Sequence, residues 1–179
     1  MSANEAVSSA QTSSPAPVSV AVVGAGYWGV NHVRTFARLA GCELARVCDP
    51  DAKNLKRAAG LAPSAKLGGD YAEVLADPRI DAVVLATPAV LHAEQTIAAL
   101  RAGKHVLCEK PLTTTLEEAA SLLAHAREAK RVLFPAHNYK HAPVVKAIRE
   151  IIESGKIGKV RSVTLNTFRN THAKGVTEW

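Results

Sequence analysis

The chain has 179 residues, of which 47% are hydrophobic and 21% are charged, and its net charge is +6. This composition is typical of a soluble globular protein, and no apolar run approaches the roughly 18 residues that a membrane span needs. Its three cysteines, Cys42, Cys48 and Cys108, form no CxxC pair, so the sequence predicts neither a disulfide framework nor a metal site.

The two ends of the chain differ in composition from the rest. Residues 1–17 are rich in Ser, Ala and Pro and lack the features of a secretory signal or a transit peptide. We therefore expect a disordered tail on a cytoplasmic protein. The excess positive charge lies in residues 139–174, but no interleaved aromatic side chains and no known motif support nucleic-acid binding there. We expect no nucleic-acid partner and no membrane partner.

Short apolar strands alternate with amphipathic helices from residue 18 onward. In chain order the pattern predicts a strand at Val18–Val23, a helix at Tyr27–Leu39, a strand at Glu43–Cys48, a helix at Ala52–Ala59, a helix at Ala72–Leu75, a strand at Ala82–Ala86, a helix at Ala93–Arg101, a strand at His105–Cys108, a helix at Leu116–Ala129 and a strand at Val132–Phe134. Thr115 and Glu118 form a capping box before the last of these helices. This order predicts an α/β fold with a doubly wound parallel sheet.

The C-terminal segment has a different pattern. Pro143 opens a helix whose apolar stripe runs to Ile152. Residues Lys159–Arg169 alternate between a more apolar and a more polar face, which predicts a long strand of a half-exposed antiparallel sheet. No further strand follows to pair with it. We therefore expect residues 139–179 to be the incomplete first helix and strand of an α+β second domain, cut short by truncation.

A glycine-rich motif, residues 24–29 (GAGYWG), follows the first strand and opens the first helix. In this context Gly24 permits a tight turn, Gly26 lets the backbone approach a pyrophosphate, and Gly29 lets the helix pack closely on the strand. The helix N-terminus would direct free N–H groups at the phosphates. The motif predicts a dinucleotide-binding Rossmann domain over residues 18–138, and a glycine-rich turn without a ligand is the alternative.

Asp49 follows Gly29 by 20 residues and ends the second predicted strand. A carboxylate at this position can accept hydrogen bonds from the adenosine ribose and would repel a 2′-phosphate, so NAD is the favoured cofactor. Lys53 and Lys56 lie nearby and keep NADP as the less favoured alternative. A turn-forming Asp before Pro50 is the other interpretation.

Two more predicted strands end in polar residues. Thr87 and Pro88 are placed where a loop would cross a bound cofactor, and His92 fits a hydrogen-bonding residue at a helix start as well as a catalytic one. In Glu109–Pro111, an ammonium group on Lys110 could bind a substrate hydroxyl and stabilise the alkoxide that forms as hydride leaves. A surface ion pair before a turn proline is the alternative for this segment.

Three stretches together carry a family resemblance: residues 103–112 (GKHVLCEKPL), residues 81–88 (DAVVLATP) followed by His92, and residues 143–158 with their GKIG ending. They resemble the glucose–fructose oxidoreductase, inositol dehydrogenase and MocA-like family, and the similarity runs from about Val18 to Arg169. The resemblance implies an NAD-dependent oxidoreductase that transfers hydride to or from a secondary alcohol of a sugar, sugar derivative or cyclitol.

The resemblance also implies a role for individual residues. It implies a pyrophosphate site formed by Gly24, Gly26 and Gly29 with the backbone of Tyr27 and Trp28, and an adenosine ribose site at Asp49. It implies a nicotinamide side lined by Thr87, Pro88 and His92, a nicotinamide ribose contact at Glu109, a catalytic lysine at Lys110, and further nicotinamide and substrate contacts at Asn138 and Lys140. Lys110–Pro111 becomes a candidate cis peptide bond. Ala89 departs from the Asn that the family often has there, which weakens one cofactor contact.

Members of the family are longer, and their second domain supplies an Asp-x-x-x-His segment and the sheet that usually forms the subunit interface. Nothing in this chain matches that segment. We therefore expect the chain alone to bind NAD weakly and to turn over little, and a full-length form to be a homo-oligomer. The alternative is a non-catalytic NAD-binding or regulatory module that docks on a partner through the strand at Lys159–Arg169.

Overall fold

The computed structural model describes residues 16–166. Its strands are β1 (Val18–Val23), β2 (Cys42–Cys48), β3 (Lys66–Gly68), β4 (Ala82–Leu85), β5 (His105–Cys108) and β6 (Leu133–Pro135). Its α-helices are α1 (Gly29–Phe36), α2 (Ala52–Ala59), α3 (Tyr71–Ala76), α4 (His92–Arg101), α5 (Leu116–Glu128) and α6 (Pro143–Glu153), with short 3₁₀ helices at Ala89–Leu91 and Asn138–His141. The strands form one sheet in the order β3-β2-β1-β4-β5-β6, and all neighbours are parallel. The predicted doubly wound Rossmann fold is confirmed.

The central strand β1 shows how the sheet is buried on both faces. Successive side chains of a strand point to opposite faces. Ala21 and Val23 pack into one hydrophobic cluster, with residues of α3, α4 and α5, whereas Val20 and Val22 pack into a second cluster, with residues of α1 and α2. The almost uninterrupted apolar sequence of β1 is therefore explained by helices on both faces.

Side-chain caps fix the first residues of three helices. Asp51 and Asp70 directly precede α2 and α3, and the side chain of each accepts a hydrogen bond of 2.8 Å from the backbone N–H two residues further on. At the start of α5, the Thr115 hydroxyl accepts the Glu118 N–H at 3.1 Å, and the Glu118 carboxylate accepts the Thr115 N–H at 3.2 Å. The predicted capping box is confirmed.

Two sequence predictions differ from the structure. The three-residue strand β3 was not predicted, because Lys66–Gly68 has no apolar run and is a strand through its pairing with β2. The predicted strand at Lys159–Arg169 is wrong over residues 159–166, which form no strand and are exposed. The remainder of that segment lies outside the described residues. Alternation alone does not make a strand when no neighbouring strand offers backbone hydrogen bonds.

The chain divides into two compact units between His137 and Asn138. The first contains the whole sheet and helices α1 to α5. The second contains α6, and none of its described residues, 138–166, is buried. Among residues 16–166, no helix combines the length and the apolar character that crossing a bilayer requires.

Candidate functional site

The carboxyl ends of four strands lie side by side along one edge of the sheet, the carboxyl edge. Val23 of β1 pairs with Cys48 of β2 and Leu85 of β4, and Leu85 pairs with Cys108 of β5. The residues that follow these four positions therefore emerge together at the edge. They include four that the sequence singled out: Gly24, Asp49, Thr87 and Glu109.

The three glycines of the GAGYWG loop have different reasons to be glycine. Gly24 has a φ of +86°, and a Cβ there would lie 2.6 Å from the Ala86 carbonyl oxygen. A Cβ on Gly29 would overlap the Gly24 carbonyl oxygen. A Cβ on Gly26 would meet no atom within 4 Å, and its φ lies outside the left-handed region. The protein's own packing requires glycine at the first and third positions but not at Gly26.

Asp49 is buried and fixes the glycine loop to the end of β2. Its Oδ2 accepts the Ala25 N–H at 2.7 Å, and its Oδ1 accepts the Asp51 N–H at 2.8 Å. Asn54 donates to both carboxylate oxygens at 3.1 and 3.2 Å. Arg57 donates to the Ala25 carbonyl at 2.7 Å and to the Asn54 side chain at 3.0 Å. Helix α2 therefore supports the loop through a continuous polar network.

Glu109 is buried at the end of β5 and links this strand to α1. Its Oε1 accepts hydrogen bonds from Trp28 Nε1 at 2.6 Å and pairs with His32 Nε2 at 2.7 Å. Its Oε2 accepts the Lys110 N–H at 3.0 Å. The Lys110 side chain is exposed, and the Lys110–Pro111 bond is cis. The segment that carries the lysine is therefore attached to the helix that follows the glycine loop.

His92 joins the segments that follow β4 and β5. It is the first residue of α4, its side chain is buried, and its Nδ1 and Nε2 lie 2.7 Å from the Pro111 carbonyl and 2.9 Å from the Thr87 carbonyl. The Thr87 hydroxyl donates to the Gln95 side chain at 2.6 Å, and Pro88 is exposed. Of the two interpretations left open by the sequence, the geometry shows the hydrogen-bonding residue at a helix start. A nicotinamide contact of His92 stays a prediction.

The remaining predicted residues are exposed. Tyr27 is 91% exposed. Asn138 and Lys140 are exposed residues of the second unit, where the Asn138 side chain accepts the Tyr139 N–H at 2.9 Å. Their place beside a nicotinamide stays a prediction. Within the described chain, no group of three or more His, Cys, Asp or Glu residues is arranged to hold a metal ion.

Three residues of the networks around Asp49 and Glu109 were missed by the sequence analysis: His32, Asn54 and Arg57. Helical spacing offered a signal for each of them. His32 lies one turn after Trp28, and Asn54 and Arg57 share a face of α2. Without knowledge of which strand end faces each helix, that spacing did not connect them to Glu109 or Asp49.

An apolar groove also lies on the sheet, away from the carboxyl edge. It has a volume of about 290 Å³, and its walls include Val18, Cys42 and His105, the first residues of β1, β2 and β5. It therefore opens near the amino ends of the strands. Its lining is almost entirely apolar and offers no converging polar groups of the kind that orient a polar ligand.

The sequence of this chain is similar to those of known oxidoreductases. Residues 18–137 match a family described as "Oxidoreductase family, NAD-binding Rossmann fold". The chain belongs to this family. Inositol 2-dehydrogenase of Mycolicibacterium smegmatis is 36% identical over 142 residues, which are 78% of this chain and 41% of that protein. 1,5-Anhydro-D-fructose reductase of Ensifer adhaerens is 51% identical over 87 residues, which are 49% of this chain and 26% of that protein. The matches thus span less than half the length of these relatives.

Solved structures of the family have the same fold. Myo-inositol 2-dehydrogenase from Lactobacillus plantarum has a TM-score of 0.74 and 25% identity, over 80% of this chain and 43% of that chain. A K102A mutant of the 3-ketoreductase KijD10 from Actinomadura kijaniata, solved with TDP-benzene and NADP, has a TM-score of 0.73 and 32% identity, over 81% of this chain and 46% of that chain. Relatives of this oxidoreductase family therefore include a solved complex with NADP.

Proposed function

We propose that this chain is the cofactor-binding half of an oxidoreductase that transfers hydride between a nicotinamide cofactor and a secondary alcohol of a sugar, sugar derivative or cyclitol. The family match and the relatives named for inositol and anhydrofructose support this substrate class. The polar carboxyl edge of the sheet supports the location of the site, because open α/β sheets bind ligands at that edge. The matches span less than half the length of these relatives, so we assign this activity to a protein of the relatives' full length.

Gly26 is the observation that carries the proposal. Glycine lowers stability relative to alanine where the backbone does not need it, because it loses more conformational freedom on folding. Nothing in the described protein explains glycine at this position, since a Cβ there would meet no atom within 4 Å. A pyrophosphate that approaches the backbone closely supplies the missing reason. The residues present therefore fit a bound dinucleotide.

We propose NAD as the cofactor. Asp49 is a buried carboxylate at the end of β2, where a 2′-phosphate would meet a like charge. NADP is the less favoured alternative, supported by the NADP complex of KijD10 and by Lys53 and Lys56 of α2. Direct comparison of NADH and NADPH binding decides between the two.

We propose a separate role in binding or catalysis for each group of residues at the carboxyl edge. The backbone of the glycine loop, with the N–H groups of Tyr27 and Trp28, would hold the pyrophosphate at the N-terminus of α1. The nicotinamide, when bound, supplies the hydride acceptor. The Glu109 carboxylate would orient the nicotinamide ribose. The ammonium group of Lys110 would donate a hydrogen bond to the substrate hydroxyl and stabilise the negative charge that develops on its oxygen.

The second unit would complete the substrate side. We propose that Asn138 and Lys140 approach the nicotinamide and the substrate, and that residues 139–179 begin a substrate and oligomerisation domain. A group that accepts the substrate proton, which typically contributes about 10²–10⁴-fold to the rate, would come from that domain in the whole protein. A non-catalytic NAD-binding module remains the second candidate, but residues 159–166 do not form the docking strand it requires.

The test is a titration of the purified chain with NADH and with NADPH, for the wild type and for Gly26→Ala. We expect the wild type to bind NADH more tightly than NADPH. We expect Gly26→Ala to weaken NADH binding by at least about tenfold, which corresponds to about 1.4 kcal/mol of binding free energy. Its stability should be unchanged or slightly higher, because alanine restricts the unfolded chain.

Gly60→Ala is the matched control. Gly60 directly follows α2 and has a φ of −71°, and a Cβ there would make only an ordinary contact with the Arg57 carbonyl oxygen at 3.7 Å. This variant should bind NADH as the wild type does. The proposal fails if the wild type binds neither dinucleotide, or if Gly26→Ala binds NADH with wild-type affinity.

A further inference from the structure

The side chains of Trp28 and His32 lie one helical turn apart and reach the same carboxylate oxygen. Trp28 immediately precedes α1, and His32 lies in its first turn. Both contact Glu109 Oε1, at 2.6 and 2.7 Å, although they are 81 and 77 residues away from Glu109 in the sequence. The His32 ring also stacks on Phe36, one turn further, with ring centroids 6.4 Å apart. The first turn of α1 and the residue before it thus both contact Glu109.

The chemistry of these groups makes the contact directional. An indole N–H is a donor only, and an ionised carboxylate is an acceptor only with about four lone-pair positions. Trp28 and His32 use two positions on Oε1, and the Lys110 N–H uses one on Oε2. Oε1 therefore faces two side-chain nitrogens, and Oε2 accepts one backbone N–H. Together these donors set the orientation of the whole carboxylate.

We propose that Trp28 and His32 are positioning residues that fix the Glu109 carboxylate and the adjoining Lys110 backbone for the nicotinamide end of the cofactor. The role goes beyond the backbone contact with the pyrophosphate that the motif predicts for Trp28. It rests on the proposed function for the identity of the ligand, but the contact itself does not. Since Lys110 follows Glu109 directly, loss of the two donors would also release the segment that carries the lysine.

A merely structural pair and a positioning pair have different consequences for ligand binding. ADP contains the adenosine and pyrophosphate parts of the cofactor but lacks the nicotinamide and its ribose. Loosening of the whole loop would weaken ADP and NADH alike. Misplacement of Glu109 alone would weaken NADH and leave ADP binding intact, because the network around Asp49 does not include Trp28 or His32.

The first experiment measures the affinities of ADP and NADH for three variants of the full chain. Trp28→Phe keeps the ring and removes the N–H donor, and we expect NADH to bind about tenfold more weakly with ADP unchanged, as for loss of a hydrogen bond to a charged group. His32→Leu should give the same split. His32→Gln restores a donor and should recover most of the NADH affinity. Equal losses for both ligands, or no loss for either, would overturn the proposal.

His125→Leu is the control for removing a helix histidine. His125 lies on α5, where Nδ1 is 2.9 Å from the Ser121 carbonyl oxygen. It has no contact with the Glu109 group, so both affinities should remain at the wild-type level. A change equal to that of His32→Leu would show that the loss is not specific to Glu109 and would count against the proposal.

A second measurement needs no ligand and separates this inference from the proposed function. The chain has two tryptophans, so two indole N–H signals are expected in a ¹H–¹⁵N NMR spectrum, and Trp28→Phe assigns them. We expect the Trp28 signal to be shifted from the position of a free indole and to return there in Glu109→Ala. A Trp28 signal at the position of a free indole that does not move in Glu109→Ala would overturn the proposed contact. If the wild type binds no NADH but this shift is seen, the proposed function fails and the positioning contact stands.

Discussion

The first unit buries a core of apolar side chains, whereas none of the described apolar side chains of the second unit is buried, although both units show regular apolar spacing in the sequence. Leu85 on β4 and Leu100 on α4 are 0% and 1% exposed. Ile148 and Ile151 on α6 are 50% and 45% exposed. The spacing predicts the type of element, whereas burial requires a facing surface, and in the first unit the sheet provides one on each side.

The largest expected difference between the units is the loss in free energy of unfolding when an apolar side chain is removed. Leu85→Ala should lower the free energy of unfolding by about 2–5 kcal/mol, because it leaves a cavity in a close-packed cluster. Ile148→Ala should change it by less than about 0.5 kcal/mol, as expected for an exposed position. Urea denaturation followed by circular dichroism measures both. Equal costs would mean that α6 is covered in solution and that the comparison is wrong.

A smaller effect concerns how the helices of the two units begin. Thr115→Ala removes the hydroxyl that caps α5 and should cost about 1 kcal/mol. In the second unit α6 begins after Ala142 with no side-chain cap. Thr164→Ala, in the exposed segment after α6, is the control and should leave the unfolding free energy unchanged. A cost for Thr115→Ala no larger than for this control would contradict the capping box.

The sequence predicted the elements whose residues carry their own signal. Val18–Val23 is nearly all apolar, and Thr115 with Glu118 caps a helix locally, so both were found. Lys66–Gly68 and Lys159–Arg169 show the limit. The first is a strand because β2 pairs with it, and residues 159–166 of the second are not a strand despite their alternation. Both outcomes depend on a neighbour that a single segment does not encode.

The same limit applies to the site. Gly24, Asp49 and Glu109 each follow a predicted strand, so their arrival at one edge could be predicted from the order of strands and helices. The role of His32 could not be predicted in this way, because it depends on α1 facing the end of β5, and His32 and Glu109 are 77 residues apart in the sequence. Geometry of that kind follows from how the helices cross the sheet. Residue spacing within one helix indicates only which side chains share a face.

The last prediction uses the thiols that the first unit buries. Burial raises the pKa of Cys48 and of Cys108 to about 11 from the ordinary value of 9.0. Between pH 9 and 11 the unfolded chain therefore loses thiol protons that the folded chain retains, so stability should fall as pH rises through this window. Urea denaturation at pH 8 and pH 10 measures the fall.

The double variant Cys48→Ala, Cys108→Ala should show a smaller fall, but not none, because burial also raises the pKa of the Tyr71 hydroxyl and adds to the loss in the same direction. The double variant reports on burial in the first unit, because both thiols lie there and none of the described residues of the second unit is buried. The same burial keeps both thiols protonated near neutral pH, so they should react with a disulfide reagent only when the first unit unfolds. Rapid modification of the folded chain at both positions, or an unchanged fall in the double variant, would mean that the carboxyl ends of β2 and β5 are open to solvent.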